Sequence, residues 1–172
     1  QVIYIASCLV YEIETEMKVD RLRYCKIIIF TDTDTDGMHI GSLLMAFFFK
    51  FMRPLVDSGH LYIGLSPLYR IRIGSGSKEE THWVYSDAEK EEILKGKSKS
   101  AKLHITRFKG LGEMNPETLW ETTLNPRTRN LLRVVIGKDS DPDSILDTLL
   151  GKDAAGRYRL IQDNAHRLEI DL

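Results

Sequence analysis

The sharpest hydrophobic signal in the chain is the run Ile27-Ile28-Ile29-Phe30, entered from Lys26 and left through Thr31. A short, continuous, β-branched stretch of this kind predicts a buried strand. The polar Thr31-Asp32-Thr33-Asp34-Thr35-Asp36-Gly37 follows at once, and the apolar-rich stretch from about Met38 to Met52 then predicts a helix, with Pro54 marking its end or a kink. Four phenylalanines on that helix, Phe47, Phe48, Phe49 and Phe51, are assigned to the core. Gly59 suits a helix C-terminal cap, His60 to Leu65 reads as a second strand, and Leu68 to Ile73 alternates as a third. The order strand, acidic turn, helix, strand predicts a right-handed crossover and a largely parallel sheet whose strand ends open onto the acidic loop.

Further along, Gly74-Ser75-Gly76-Ser77 predicts a turn and His82 to Tyr85 a strand, and Ser86-Asp87-Ala88-Glu89 has the form of a capping box opening a short helix closed by Gly96. The basic, polar stretch Lys95 to Ser100 marks a soft boundary, its lysines 95, 97 and 99 being read as a solvated loop. Asn115-Pro116 and Asp141-Pro142 each place a cap residue before a proline, predicting helices to about Thr122 and Leu150. Residues 1–14 mix apolar and acidic positions in a helix-like way. The expected organisation is thus an α/β part over residues 1–100 and a mainly helical segment over residues 101–172.

Composition adds limits rather than a function. Hydrophobic residues make up 42% and charged residues 28% of the 172, which is ordinary for a chain that folds around a core. With a net charge of −1, no broad positive field surrounds the molecule, so any contact with nucleic acid has to be local. Cys8 and Cys25 form no CxxC pair and no zinc-spaced cluster, which predicts two free thiols. The most apolar run, Leu43 to Phe49, is far shorter than the ~20 residues a bilayer span needs. The opening Gln1-Val2-Ile3-Tyr4 has neither an initiator Met nor the form of a signal peptide, and reads as a cut.

The acidic loop is the candidate for chemistry. Asp32, Asp34 and Asp36, alternating directly after a buried strand, are expected to crowd three carboxylates at the mouth of the sheet, where they repel one another. A hard divalent cation such as Mg²⁺ relieves that repulsion while keeping waters and phosphate oxygens as its remaining ligands. A plain turn ending in an Asp helix cap accounts for one of the three aspartates. An EF-hand calcium loop shares Asp-x-Asp-x-Asp-Gly, but it needs a Glu at its twelfth position, where this chain has Leu43. An Asp-x-Asp phosphatase of the haloacid-dehalogenase type, with the first Asp as nucleophile, is the alternative enzyme; it wants Thr or Val where Asp36 stands. Near the other glycine-rich stretch, Lys109-Gly110-Leu111-Gly112, the absent side chains let a backbone approach a phosphate, so Arg107 and Lys109 are candidate phosphate contacts or else members of a solvated turn.

Lys26 to Ile40 resembles the "KIIIMTDADVDGxHI" stretch of the Toprim domain in the B subunits of bacterial type IIA DNA topoisomerases, gyrase and topoisomerase IV. Arg107 to Thr123 resembles the same family's "KGLGEMNPxxLWETT" block, and Ser66-Pro67-Leu68-Tyr69-Arg70 resembles its "PPLYR". With Asp163-Asn164-Ala165 the resemblance covers roughly residues 20–172. Gly41 stands where the gyrase pattern often has Arg, and Ser7-Cys8-Leu9-Val10-Tyr11 replaces a glycine-rich turn.

The resemblance implies a Toprim-like, mostly parallel sheet flanked by helices, followed by the C-terminal segment of such B subunits. It implies that Asp32 and Asp34 act in catalysis through a bound Mg²⁺, with Asp36 as a third or water-mediated ligand, and that His39 and Arg157 face DNA together with Arg107 and Lys109. The implied activity is ATP-dependent double-strand DNA cleavage, passage and religation, in a cytoplasmic, nucleoid-associated A2B2 heterotetramer whose A subunit supplies the tyrosine nucleophile. The family's catalytic Glu, in an upstream "EGDSA" motif, is not in this sequence, and ATP would be bound by a domain outside it. This chain by itself is therefore expected to be inactive.

Overall fold

The computed structural model describes residues 8–9, 19–74, 79–95, 102–138 and 140–167. The helix-like reading of residues 1–14 therefore lies almost wholly outside the described residues, as do Lys97, Lys99 and the turn residues 75–77. The chain divides into two compact units, Gln1–Val135 and Ile136–Leu172.

In the first unit the isoleucine run forms β1 (Ile27–Ile29), which leads through the acidic loop into the helix α1 (Thr35–Phe51). Met52 breaks the helix and α2 (Arg53–Asp57) follows with Pro54 in its first turn, where a missing N–H costs nothing. Gly59 (φ +74°) closes this turn, and β2 (Leu61–Leu65) returns beside β1 in parallel, Ile27 opposite Leu61 and Ile29 opposite Ile63. On its other edge β2 pairs antiparallel with β6 (Asn130–Arg133), giving the order β1-β2-β6. A second sheet has β3 (Tyr69–Ile73) between β4 (Glu80–Val84) and β5 (Leu103–Arg107), both antiparallel to it. The helix α3 (Asp87–Lys95) lies between β4 and β5 in sequence; Ser86 Oγ accepts from the Glu89 N–H at 3.1 Å, and Glu89 reaches back to the Tyr85 N–H at 2.8 Å.

The α/β class is as expected, but among the described residues parallel pairing is confined to β1 and β2. A parallel pair needs a crossover of a dozen or more residues, which the β1–β2 connection supplies with α1 and α2. β3 and β4 are joined by a short link that can only reverse the chain. The compact unit also runs past residue 100, because β5 and β6 complete its two sheets.

Leu55 and Leu61 are fully buried, with Ile29, Ala46, Phe48, Phe49, Met52 and Val56 close behind. Tyr69, Ile71, Ile73 and Val84 form the core of the second sheet, packed by Leu68 and by Ile93 of α3. Phe51 departs from the core assignment: it is 67% exposed, because it stands at the last position of α1, where its ring meets that of Phe47 at 5.5 Å between centres and is otherwise left to solvent.

After β5, Asn115 caps α4 (Pro116–Leu119) by accepting from the Thr118 N–H at 2.8 Å, and the helix continues as a π-helical turn, Trp120–Leu124. In the second unit Asp141 caps α5 (Pro142–Leu150), with the bounds its sequence predicts, and Asp153 caps α6 (Ala154–Asn164). No helix among the described residues is long and apolar enough to cross a membrane. Cys8 and Cys25 are free and exposed.

Candidate metal and phosphate site

The acidic loop leaves the end of β1 and enters α1 three residues earlier than the apolar pattern predicts. Asp34 is the reason. Its side chain accepts from the Gly37 N–H at 2.7 Å, so it serves as N-cap and draws Thr35 and Asp36 into the first helical turn. Gly37 is obligatory for space: a Cβ there would stand 2.2 Å from the carbonyl oxygen of Asp32. The loop is thus folded tightly back on itself.

Asp34 stands outside the helix as its N-cap, in an extended backbone conformation, and Asp36 lies in the first helical turn. Among the described residues no group of three or more His, Cys, Asp and Glu side chains converges on one point. The expected cluster of three is resolved into Asp32 in the loop, Asp34 at the cap and Asp36 on the helix.

Asp32 is held from far along the chain. Its Oδ1 accepts from the Leu111 N–H at 2.7 Å, and the neighbouring Thr33 hydroxyl donates to the Lys109 carbonyl at 3.3 Å. The receiving segment follows β5 and is anchored by the buried Phe108, whose N–H bonds to the Leu68 carbonyl. It is braced from within, since Glu113 accepts from the Lys109 N–H at 2.8 Å and ends the 3₁₀ turn Leu111–Glu113. Gly110 is needed here for a reason other than phosphate approach: a Cβ would lie 2.9 Å from the Asp32 carboxylate. At Gly112 a Cβ would meet nothing within 4 Å.

Asp32 and Asp34 are both exposed, and each commits one oxygen to a backbone N–H. Among the described residues, no hydrogen bond is made to the second oxygen of either. Two exposed carboxylates with one oxygen each in reserve fit the donor set of a hard cation that retains most of its water, such as Mg²⁺.

Of the basic candidates, Lys109 is exposed and belongs to the segment that docks on the acidic loop. Arg107 ends β5, exposed, its guanidinium 6.0 Å from the centre of the Tyr69 ring. That ring is fixed in turn: Tyr69 donates to Asp87 at 2.7 Å and carries the Lys90 ammonium over its face at 4.3 Å. Hydrogen bonds from Lys90 and Tyr69 hold the Asp87 carboxyl below its ordinary range. His39 is exposed on α1, two residues beyond Gly37. Arg157 lies in the second unit, where its guanidinium donates to the Gly151 carbonyl between α5 and α6. The sequence reading missed Leu111 and Gly110 as neighbours of Asp32, and Thr33 and Glu113 as the residues that tie the Lys109 segment in place. Only the spacing of Glu113, four residues after Lys109, hinted at a closed turn.

Comparison with known proteins places the chain by sequence. Residues 5–64 match the family model described as Toprim domain, and residues 100–162 match that described as DNA gyrase B subunit, carboxyl terminus. The chain is 47% identical over 149 residues to the B subunit of DNA topoisomerase 4 from Streptococcus pneumoniae, an alignment covering 87% of this chain and 23% of that protein. It is 47% identical over 156 residues to the B subunit of DNA gyrase from Thermotoga maritima, covering 88% and 23%. The corresponding gyrase protein of Thermus thermophilus is 43% identical over 159 residues, covering 92% and 24%. The chain therefore spans about a quarter of the length of these relatives.

Proposed function

As the chain belongs to the family of type IIA DNA topoisomerase B subunits, we propose that it supplies the Mg²⁺-binding and part of the DNA-binding surface of such an enzyme. Asp32 and Asp34 hold the cation through their remaining oxygens, and Asp36, in the first turn of α1, takes part through water. When bound, the cation supplies Lewis-acid stabilisation of a phosphodiester under attack. The protein's own contribution is to hold one oxygen of each carboxylate on a backbone N–H, which orients the other. Lys109, with Arg107 and His39, contacts the DNA backbone without reading sequence. We assign Arg157 first to holding the turn between α5 and α6, and to DNA only through its remaining N–H groups.

The observation that supports this reading most is the 2.7 Å bond from Leu111 to Asp32, which joins a metal-binding loop to the loop bearing Lys109. In this reading double-stranded DNA is the substrate, the tyrosine comes from an A subunit in an A2B2 assembly of the bacterial cytoplasm, and ATP acts elsewhere in the enzyme. We retain residues 1–100 as the Toprim part and 101–172 as the C-terminal part, with β5 and β6 of the latter built into the former's sheets. The phosphatase alternative has no support in the family matches.

Two measurements test the proposal. Mg²⁺-dependent cleavage complexes on plasmid DNA should form when a B subunit containing this segment is combined with an A subunit, while the chain alone should not turn over a generic phosphomonoester. The opposite pair of results would favour the phosphatase. Lys109→Ala should weaken DNA binding to a similar degree on unrelated sequences and lower the salt slope of log K by about one, the share of a single phosphate contact. An unchanged slope would return Lys109 to the solvated turn.

A further inference from the structure

We propose that the segment Lys109–Glu113 is a clasp that sets the aim of Asp32, with Gly110 and Glu113 as its positioning residues. The part of this that concerns Mg²⁺ rests on the reading above; the clasp itself does not. Three bonds define it. Leu111 donates to Asp32, Thr33 donates back to the Lys109 carbonyl, and Glu113 receives the Lys109 N–H, so the acidic loop and the clasp are tied by two bonds that span 79 and 76 residues of sequence. Both ends are fixed, Phe108 being 6% and Met114 8% exposed.

Gly110 has φ −163° and ψ 169°, an extended conformation open to any residue, so the backbone does not call for glycine. Space does. The Asp32 carboxyl group fills the place where a side chain would begin, at 2.9 Å from the Cβ position. Any larger residue must push the carboxylate or the clasp aside. Glu113 acts one step further out: by holding the Lys109 N–H it closes the turn that points the Leu111 N–H at Asp32. With Oδ1 so held, the direction of the other Asp32 oxygen is fixed before any ligand arrives, and the Lys109 side chain is carried on the same closed loop. Outer partners of this type commonly account for tenfold or more in metal affinity.

The test uses the chain itself, with Gly110→Ala as the crowded variant and Glu113→Ala as one that loosens the turn without adding bulk. Amide hydrogen exchange without metal should find Leu111 and Lys109 protected in the wild type. Protection of Leu111 should be lost in Gly110→Ala, and protection of Lys109 in Glu113→Ala. Calorimetric titration with Mg²⁺ alone should find affinity lowered about tenfold in Gly110→Ala, with unchanged circular dichroism. A freely exchanging Leu111 amide in the wild type, or wild-type Mg²⁺ affinity in both variants, would overturn the clasp. Because the exchange is read without metal, it decides the clasp even where the wild type takes up no Mg²⁺, a result that would count against the cation reading alone.

Discussion

Replacing Asp34 by asparagine should abolish Mg²⁺-supported DNA cleavage by a B subunit containing this segment, assayed with its A subunit, while the fold is retained. The carboxylate has two duties that this substitution separates. As N-cap of α1 it accepts from the Gly37 N–H, and asparagine caps as well as aspartate does. As a cation ligand it needs its charge, which asparagine lacks. Asp34→Ala removes both, so it should lose cleavage and also about 1 kcal/mol of stability, partly offset by relief of repulsion with Asp32 and Asp36. The expected loss of cleavage for Asp34→Asn is at least about a hundredfold, the scale seen when one electrostatic group is removed from a reacting centre. Asp32→Asn should behave alike in cleavage. Full activity in Asp34→Asn would sink the metal assignment.

The second large effect is on stability. Leu61→Ala should lower the unfolding free energy by about 2–5 kcal/mol, through lost apolar transfer and the cavity left behind. Leu61 has no exposed surface and sits on the central strand, opposite Ile27 of β1. Its loss therefore loosens the strand from which the acidic loop springs. Urea denaturation reads this as a lower midpoint with an unchanged slope. A change below about 1 kcal/mol would mean that the sheet closes over the gap and that the core lies elsewhere.

What the sequence made legible was local. The isoleucine run, the acidic loop, the returning strand at Leu61 and the caps at Asn115 and Asp141 all depend on residues within a few positions of one another, and all are present. The early start of α1 was not legible, because Thr35 and Asp36 are weak helix formers and only the cap made by Asp34 recruits them. Three alternating aspartates read as one cluster when the loop is taken as extended; with Asp34 at the cap and Asp36 drawn into the helix, no three acidic side chains group together among the described residues. The bond between Asp32 and Leu111 spans 79 residues, and no periodicity reports a contact of that range. From sequence the glycines at 110 and 112 offer room for a phosphate or a solvated turn alike; the contact between Gly110 and the Asp32 carboxylate, with open space at Gly112, is not legible there. The resemblance to B subunits carried the functional reading further than spacing could, and the family matches over residues 5–64 and 100–162 agree with it.

The central claim is that Asp32 and Asp34 together hold Mg²⁺. It is tested most directly by titrating Mg²⁺ into the isotope-labelled chain and following its backbone amides by NMR. The account predicts saturable shifts confined to Asp32 through Gly37 and to Lys109 through Leu111, with a dissociation constant of about a millimolar, as suits two carboxylates and a cation that dehydrates reluctantly. The same titration of Asp32→Asn and Asp34→Asn should lose them. Shifts spread over the acidic surface, or an unaltered response in both variants, would contradict the account.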